Sequence, residues 1–571
     1  MKGYLFKYSW LLGMVVANYF CYNHPLLAEE KPSWIPKISI YNPPPPQKST
    51  STLFVSVDPQ IIQKLTSLLD EQVLGKAKKM EESPSLNTIN SFLTPEGFEL
   101  KTRYESVGIA LSEALGWEPI RQVRVISEQN LKQRLTTVAR WDHAPKVRSI
   151  AIFSLSSLRD PVDLIYFKEA LWSHNIGIRY STLEALVNWG YPEAIPLLQQ
   201  SYKKDDSPLI RIIAATALAR MKDPQALGYL RNYLNDSDWL IRALAAKALG
   251  EMGDYSDYDL LLNRLSLEST NDWIISEICI GALRLFPQKY WRDLKERERK
   301  EKELKEGAQS KKVVEKKQNI LFELEPLVVT APRLKIPKGV LVDPRINFQL
   351  MKQLREKEDF QIHQDLSTES SAYRDMDELL TPSGIRLKTR YTNLGYLLTE
   401  GLAGTSDFQI QEELARLARE GKKTDVRSYA LIALAYNRDR SQLGLFQNAL
   451  QKENEYERFP AMEALQIWGY PDAVSMLLTS SKLDRSAVLR LYAAQAAWRK
   501  GQTLGKDLIL RSLNDEDWVI RAMAMRYLGE LGDADDYNRL LGYLGSEQKP
   551  IVQAEMLSAL LRLFAKKNGD E

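Results

Sequence analysis

The chain contains one sequence module twice, and each copy carries a further short repeat. The string LNDSDWLIRALAAKALGEMGD at 234–254 returns as LNDEDWVIRAMAMRYLGELGD at 513–533, with 14 of 21 positions identical and no gap. Arginines open successive apolar segments at spacings of 31, 32 and 31 residues in both copies: Arg148, Arg179, Arg211 and Arg242, then Arg427, Arg458, Arg490 and Arg521. A fixed period of this length predicts a solenoid, whose units bury their apolar faces only against neighbouring units.

The duplication extends upstream of these repeats. LTPEGFELKTRY at 93–104 returns as LTPSGIRLKTRY at 380–391, and VDP at 57–59 returns at 342–344. Asp58-Pro59 and Asp343-Pro344 are each predicted to start a helix, with aspartate as the N-cap and proline at the first helical position. The first helix would carry an apolar stripe of Ile62, Leu65, Leu69 and Val73, and the second a stripe of Ile346, Leu350 and Leu354. The offset between the copies is 287 residues at the LKTRY string and 279 from Arg148 onward, so the second copy is eight residues shorter between these points. We therefore expect one module at 57–290, with repeats at about 147–286, and a second at 338–566, with repeats at about 426–564.

Composition and charge fit a folded chain of two such modules. Of 571 residues 44% are hydrophobic, and the formal net charge is only +3. Without a concentrated basic face the sequence lacks the electrostatic signature of a nucleic-acid-binding protein. Of the two cysteines only Cys279 lies beyond the N-terminal segment, so no internal disulfide is expected, and Cys279 is predicted to be a small buried hydrophobe.

The first 28 residues have the pattern of a signal peptide. Lys2 and Lys7 form a basic start before an apolar stretch at 8–20, and Ala28 ends a plausible cleavage site. We expect export to the periplasm or cell envelope of a bacterium. An uncleaved segment would instead give membrane association through the N-terminus. Residues 29–56, with four consecutive prolines at 43–46, are predicted to be an extended tether.

A charged spacer and linker is expected at 291–337, between the modules. Its first part, 292–318, has almost no apolar residue to bury, which predicts a solvent-exposed helix or a disordered spacer. The later string VVTAPR at 328–333 resembles the TonB box of outer-membrane transporters, which pairs as an added strand with TonB. We favour coincidence, because the string is short and internal, and no barrel-like strands follow it.

The LKTRY strings are candidates for ligand binding as well as for structure. Leu100, Tyr104, Val107, Leu111 and Leu115 fall on one helical stripe, as do Leu387, Tyr391, Leu394, Leu398 and Leu402. This stripe favours a structural role in capping the solenoid. It leaves four basic residues as candidates for partner binding: Lys101, Arg103, Lys388 and Arg390.

The repeats at 147–286 and 426–564 resemble HEAT repeats, specifically the short HEAT-like units of the phycobilisome-lyase type. WLIRALAAKALGEMGD and WVIRAMAMRYLGELGD carry the resemblance, through an aliphatic residue before arginine, small alanine positions, leucine with glycine and then a turn. The resemblance implies an all-α fold, an α-solenoid in two duplicated arms, with the arginine-bearing helices lining the concave faces. It implies shared packing, not lyase chemistry.

The repeated arginines and tryptophans each have two interpretations. Arg242 and Arg521 are predicted to form a structural ladder with acidic turns of neighbouring units, and the alternative is an anion-binding stripe. Trp239, Trp273 and Trp518 stand at the starts of arginine-type helices, where they either anchor a protein partner or cap the seams between units.

An enzyme is disfavoured because the expected parts are absent from the sequence. None of the four histidines is paired at metal-ligand spacing, which argues against the iron-binding HEAT-like hydroxylases, and no phosphate-binding loop or nucleophile elbow occurs. We therefore assign no catalytic, cofactor-binding or metal residue, although a site assembled only in three dimensions stays open.

The sequence predicts an exported, non-enzymatic scaffold of the cell envelope. It would bind a protein partner, whose identity the sequence does not reveal, through the concave faces of its two arms. The alternatives are an envelope enzyme or enzyme subunit whose solenoid positions a substrate, and an accessory of TonB-linked outer-membrane transport.

Overall fold

Helices form every regular element in the part of the chain that the structure describes. The computed structural model describes residues 58–68, 86, 88–89, 100–101, 103–104, 128–142, 144–268, 271–312, 343–356, 370–376, 387, 389–391, 394–403 and 407–569. No strand occurs within these ranges. The expectation of an all-α fold is confirmed. The predicted signal peptide, the tether, Lys388 and the VVTAPR string lie outside the described residues.

The first arm is a stack of five helical pairs within the described residues. A short helix precedes it, α1 (Pro59–Leu68). The pairs are α2 (Glu128–Trp141) with α3 (Pro145–Leu158), α4 (Leu164–Ala170) with α5 (Ile176–Trp189), α6 (Ala194–Lys204) with α7 (Pro208–Arg220), α8 (Ala226–Tyr233) with α9 (Trp239–Met252), and α10 (Tyr255–Leu265) with α11 (Asp272–Lys312). The second member of each pair packs on its counterpart in the next pair, as a solenoid requires.

The second arm repeats this order. It follows α12 (Pro344–Glu356), α13 (Ser371–Asp375) and α14 (Leu394–Leu402). Its pairs are α15 (Phe408–Glu420) with α16 (Thr424–Ala435), α17 (Leu443–Leu450) with α18 (Glu455–Trp468), α19 (Pro471–Leu483) with α20 (Ala487–Arg499), α21 (Thr503–Ser512) with α22 (Trp518–Leu531), and α23 (Ala534–Leu541) with α24 (Pro550–Gly569). The predicted pair of duplicated arms is confirmed.

Local sequence sets where these helices begin and end. Ser207 caps α7 by accepting a hydrogen bond from the Ile210 amide, and Pro208 occupies the first helical position. Asp238 caps α9 in the same way, accepting from the Leu240 amide at 2.9 Å. At the other end, Gly190 terminates α5 with φ of +76°, a conformation that costs glycine little.

Small residues let the arginine-bearing helices approach closely at the end of each arm. A Cβ added to Gly250 on α9 would lie 2.4 Å from the Gly281 Cα on α11. A Cβ added to Gly529 on α22 would lie 2.5 Å from the Ala559 Cα on α24. These helices therefore cross backbone to backbone, and no larger side chain fits at either crossing.

The charged spacer begins as a helix. α11 continues to Lys312, through most of the run at 292–318 that was predicted to be a solvent-exposed helix or a disordered spacer. The described side chains at 292–300 are largely exposed, which favours the first alternative over this stretch. None of the described helices has the combination of length and apolar character needed to span a bilayer.

The upstream helices begin where the sequence predicts. The Gln60 amide donates to Asp58 Oδ1 at 2.8 Å, so Asp58 caps α1. Among the described side chains of α1, those of Ile61, Leu65 and Leu68 are buried, so Leu65 of the expected stripe is confirmed. The Ile62 side chain, Leu69 and Val73 lie outside what the structure describes. In the second copy, α12 buries the expected apolar stripe of Ile346, Leu350 and Leu354.

The two arms are joined at both ends. α12 and α14, which precede the second arm, pack on α11 at the end of the first arm and on α15 and α16 at the start of their own. α1, which precedes the first arm, packs on α24 at the end of the second arm and on α2. Each upstream segment thus bridges the end of one arm to the start of the other, and the described elements form a closed circuit.

Candidate interaction face

The second LKTRY string is bound to the end of the first arm. Arg390 donates from Nε to Glu277 Oε1 at 2.6 Å and from Nη2 to Glu277 Oε2 at 2.8 Å. Tyr391 donates its hydroxyl proton to Glu277 Oε1 at 2.8 Å. The Arg390 side chain is 2% exposed and that of Glu277 is fully buried. Arg390 is therefore engaged inside the protein.

The first LKTRY string makes the equivalent contact with the end of the second arm. Arg103 donates from Nη2 to Glu555 Oε2 at 2.7 Å, and its Nε also donates to this carboxylate. The Arg103 side chain is 1% exposed and that of Glu555 is fully buried. The geometry of both strings supports the structural interpretation of the LKTRY motif. Of the two candidate lysines, Lys101 is partly exposed, and Lys388 is not described.

The tyrosines of the two strings remain protonated. Burial raises the pKa of Tyr391 well above its usual value, and the nearby Glu277 carboxylate raises it further. Burial likewise raises the pKa of Tyr104, with an added contribution from Glu555. A protonated hydroxyl is what the Tyr391 hydrogen bond to Glu277 requires.

The repeated arginines join neighbouring units. Arg242 donates from Nη1 to the backbone carbonyls of Asp236 and Ser237, both at 2.9 Å, just before its own helix begins. Its Nε and Nη2 contact Glu268 of the next unit at 2.8 and 3.2 Å. Arg521 repeats this pattern with two carbonyls and Glu547. This geometry supports a structural ladder.

The candidate tryptophans lie inside the protein. Trp239, Trp273 and Trp518 are 5%, 2% and 6% exposed. The Trp239 ring centroid lies 6.1 Å from that of Tyr373 and 6.3 Å from that of Tyr391, and the Trp273 centroid lies 6.4 Å from that of Tyr391. The aromatic partners of the first-arm tryptophans are thus supplied by the second half of the same chain.

The short helix α13 lies against the N-terminal ends of two arginine-bearing helices in the first arm. It packs on α7 and α9. The Ala372 amide donates to Asp238 Oδ2 at 3.2 Å, and the Ser207 hydroxyl donates to Asp375. Both contacts reach the N-caps of helices that the sequence assigned to a partner, so the chain itself covers this part of the expected binding face.

Large apolar side chains are exposed at a different place, on α2 and on and beside α4 at the start of the first arm. Trp141, Val162, Ile165 and Trp172 are 69%, 65%, 54% and 65% exposed. We call these four residues the tryptophan patch. Val162 lies in a 3₁₀ turn (Pro161–Asp163), Ile165 lies on α4, and Trp172 follows the end of α4.

Arg140 links the two elements of the tryptophan patch. Its guanidinium lies 5.3 Å from the ring centroid of Trp141 on α2 and 5.4 Å from that of Tyr166 on α4. Its Nε also lies 3.0 Å from Glu169 Oε2 on α4. Arg140 therefore connects Trp141 to α4, the helix that carries Ile165.

The second arm lacks this patch. At the 279-residue offset the four positions hold Glu420, Ser441, Gly444 and Gln451, all exposed. The fold therefore does not need apolar residues there, and the tryptophan patch is specific to the first arm. The repeat pattern does not predict the patch, because that pattern rests on positions that the two copies share. The difference between the copies at these four positions is visible when they are aligned.

A smaller exposed apolar pair lies at the start of the second arm. Phe348 on α12 and Phe408 on α15 are 66% and 68% exposed. The residues that precede them are joined by a hydrogen bond from Asn347 Nδ2 to Asp407 Oδ2 at 2.9 Å. This pair is less extensive than the tryptophan patch.

A small cavity lies at the start of the second arm. This cavity, lined by Leu354, Leu398, Leu414 and Tyr429, among other mainly apolar residues, has about 10 Å³, near the space of one water molecule. No group of three or more histidine, cysteine, aspartate or glutamate side chains there could hold a metal ion. The buried thiol of Cys279 has a raised pKa because burial disfavours the thiolate.

Comparison with protein families identifies the repeats. A model of HEAT repeats matches residues 128–219, 195–284, 412–498 and 480–561, which together cover more than half of the chain. The matches begin one helix before the repeats seen in the sequence, so they include α2 and α15. A search of curated proteins found no match.

Solved structures with a similar succession of helices differ widely in overall arrangement. Human deoxyhypusine hydroxylase in complex with glycerol is 18% identical over 60% of this chain and 96% of its own, with a TM-score of 0.22. Kap121p bound to RanGTP is 14% identical over 89% of this chain and 56% of its own, with a TM-score of 0.28. The structure of Kap95p with RanGDP is 12% identical over 89% of this chain and 68% of its own, with a TM-score of 0.31. Superpositions this loose carry no argument about activity.

Proposed function

Because the chain belongs to the HEAT-repeat proteins, we propose that it is a non-enzymatic protein-binding scaffold, exported to the bacterial cell envelope. One observation carries the binding part of this proposal. The tryptophan patch exposes four large apolar side chains on the first arm, and polar or small residues stand at every equivalent position of the second arm. A cluster of exposed apolar residues that the fold does not need is typical of an interaction site.

The chemistry of the patch favours a protein partner with an apolar segment. Tryptophan and arginine are the residues that most often dominate binding energy at protein interfaces, and Arg140 stands between Trp141 and α4. Trp141 and Trp172 present wide, rigid side chains with few rotatable bonds, so ordering them costs little entropy. We propose the tryptophan patch as the binding face because α13 of the same chain already packs on α7 and α9, whose N-terminal ends belong to the face expected from the sequence.

The test exchanges residues between the two copies. Trp141→Glu with Trp172→Gln gives the first arm the residues that the second arm carries. Leu483→Lys with Leu504→Gln is the matched control, since it likewise replaces two exposed apolar residues by the residues of the other copy but leaves the patch intact. Tagged proteins are crosslinked in cells and purified from membrane and soluble envelope fractions, and their partners are identified by mass spectrometry.

A partner that is captured by the wild type and by the control variant, but lost from the patch variant, supports the proposal. A partner that is retained by the patch variant contradicts it. Efficient crosslinking with no recurrent partner contradicts the scaffold function itself and leads to tests of the enzyme alternative.

Export is tested separately. We expect the full chain in the envelope fraction and a chain without residues 1–28 in the cytoplasm. The alternative of TonB-linked transport rests on residues 328–333, and their deletion would abolish association with TonB if that alternative is correct.

A further inference from the structure

We propose that the protein is a fused dimer, in which the two halves hold one another through two equivalent surfaces and remain assembled without the connection at 313–342. The partner that each surface fits is the other half of this chain. The proposal is independent of the tryptophan patch and of any external ligand.

The ion pairs between the two halves are reciprocal. Arg103 of the first half binds Glu555 of the second, and Arg390 of the second half binds Glu277 of the first. Arg103 and Arg390 occupy the same position of the two LKTRY strings, and both glutamates lie on the last helix of an arm, nine residues before the phenylalanine of LRLF. Contacts that exchange in this way define an isologous interface, the arrangement found in two-fold symmetric dimers.

Each half supplies the arginine for a buried glutamate of the other half. Glu277 on α11 takes its arginine from the second half, and Glu555 on α24 takes its arginine from the first. An arm stacks five pairs of helices at about 8–10 Å per step, so its first and last pairs are roughly 30–40 Å apart. The LKTRY string that precedes one arm contacts the end of the other arm, so each half alone would lack the arginine that binds the glutamate of its last helix.

The two halves are in close contact where α12 and α14 pack on α11. A Cβ added to Gly401 on α14 would lie 2.1 Å from Ile280 Cγ1 on α11. Also between the halves, Gln353 on α12 donates to Asp272 Oδ1 on α11 at 2.8 Å, and the Trp273 ring centroid lies 6.4 Å from that of Tyr391. Buried ion pairs, aromatic contacts and a glycine contact at one interface are characteristic of permanent subunit association.

The test uses the full chain, with a protease site inserted between Asn319 and Ile320. The folded protein is cleaved, and its mass is measured by size-exclusion chromatography with light scattering at micromolar and nanomolar concentrations. We expect the cleaved protein to retain the mass of the intact chain at both concentrations. Separation of the two fragments at micromolar concentration would overturn the proposal.

Two variants then locate the interface. Arg103→Met should weaken association of the cleaved halves by about 100-fold or more, because it leaves the buried Glu555 carboxylate uncompensated. Arg140→Met is the matched control, since its ion pair with Glu169 is exposed on the surface of one half, and it should leave association unchanged. Equal effects of the two variants would contradict the proposal.

A larger side chain at Gly401 tests the interface in a second way if Arg103→Met prevents folding of the uncut chain. Gly401→Ala forces a methyl group against Ile280, and it should weaken association of the cleaved halves. Ile280→Ala in the same chain removes the clashing atoms and should restore most of the loss. Failure of this rescue, with helicity unchanged by circular dichroism, would show that α14 and α11 do not hold the halves together.

Discussion

Arg390 donates two hydrogen bonds to Glu277 across 113 positions of sequence, with both side chains almost completely buried. We predict that Glu277→Gln lowers the free energy of unfolding by about 3–5 kcal/mol, because it leaves the Arg390 charge buried without its counter-ion. Chemical denaturation followed by circular dichroism measures this loss.

The corresponding double replacement tests the physical reason. Glu277→Gln with Arg390→Met removes both charges, so it should cost less than the sum of the two single changes. Additive losses would show that the two residues act independently, contrary to the geometry.

The arginine ladder should affect stability but not partner binding. Arg242→Ala removes hydrogen bonds to two backbone carbonyls and to Glu268, and we expect a loss of about 1–3 kcal/mol in the free energy of unfolding. Arg521→Ala should cause a similar loss because its contacts are equivalent. Thermal unfolding and crosslinking of the same variants check both statements, and loss of a partner at unchanged melting temperature would contradict the ladder.

Asp163 should make stability depend on pH between about 4 and 6. Burial raises its pKa to about 6, although Lys132 at 3.2 Å opposes the shift, and Asp160 adds to it. A raised pKa in the folded state means that the contribution of Asp163 is greatest below its unfolded pKa near 3.9 and is lost as the pH rises through 6.

Asp163→Asn isolates this effect. The variant should gain stability relative to the wild type as the pH rises from 4 to 7, by up to about 3 kcal/mol. The second arm already carries an uncharged residue, Gln442, at this position. A constant difference between variant and wild type across this pH range would contradict the assigned pKa.

The labelling rate of the Cys279 thiol should report on opening of the interface between the two halves, where α12 and α14 pack on α11. It lies on α11 between Glu277 and Ile280, is fully buried, and has a pKa raised by burial. We predict slow labelling by a thiol reagent at neutral pH in the native protein, and faster labelling in the Glu277→Gln variant. A Cys21→Ser background removes the other cysteine, and rapid labelling of the native protein would argue against a closed joint.

Much of the fold could be predicted from the sequence because repeats constrain it at many positions. The spacing of Arg148, Arg179, Arg211 and Arg242 fixes the unit length, and the alanines of α9 indicate close helix packing. The helix start at Asp58 and Pro59 follows from capping chemistry alone. These features depend on residues that are near one another in sequence or recur at a fixed interval.

The joint between the halves could not be predicted in the same way. Each LKTRY string could contact the end of its own arm or the end of the other arm. The local sequence pattern is the same in both copies, so it does not distinguish these two pairings. The burial of Trp239 and Trp273 follows from that pairing, because Tyr391 and Tyr373 reach them from the other half. The tryptophan patch was missed for a different reason, since Trp141 and Trp172 lie at positions where the two copies differ.

The closed circuit of helices limits how this solenoid can change in length and shape. An open solenoid ends in terminal repeats with polar outer faces, and it can stretch or gain a unit at either end. Here α24 meets α1 and α11 meets α12, so both ends of each arm are taken up within the molecule. An inserted repeat in one arm would shift Glu277 or Glu555 by a full unit from its arginine, so the number of repeats and their curvature are fixed together.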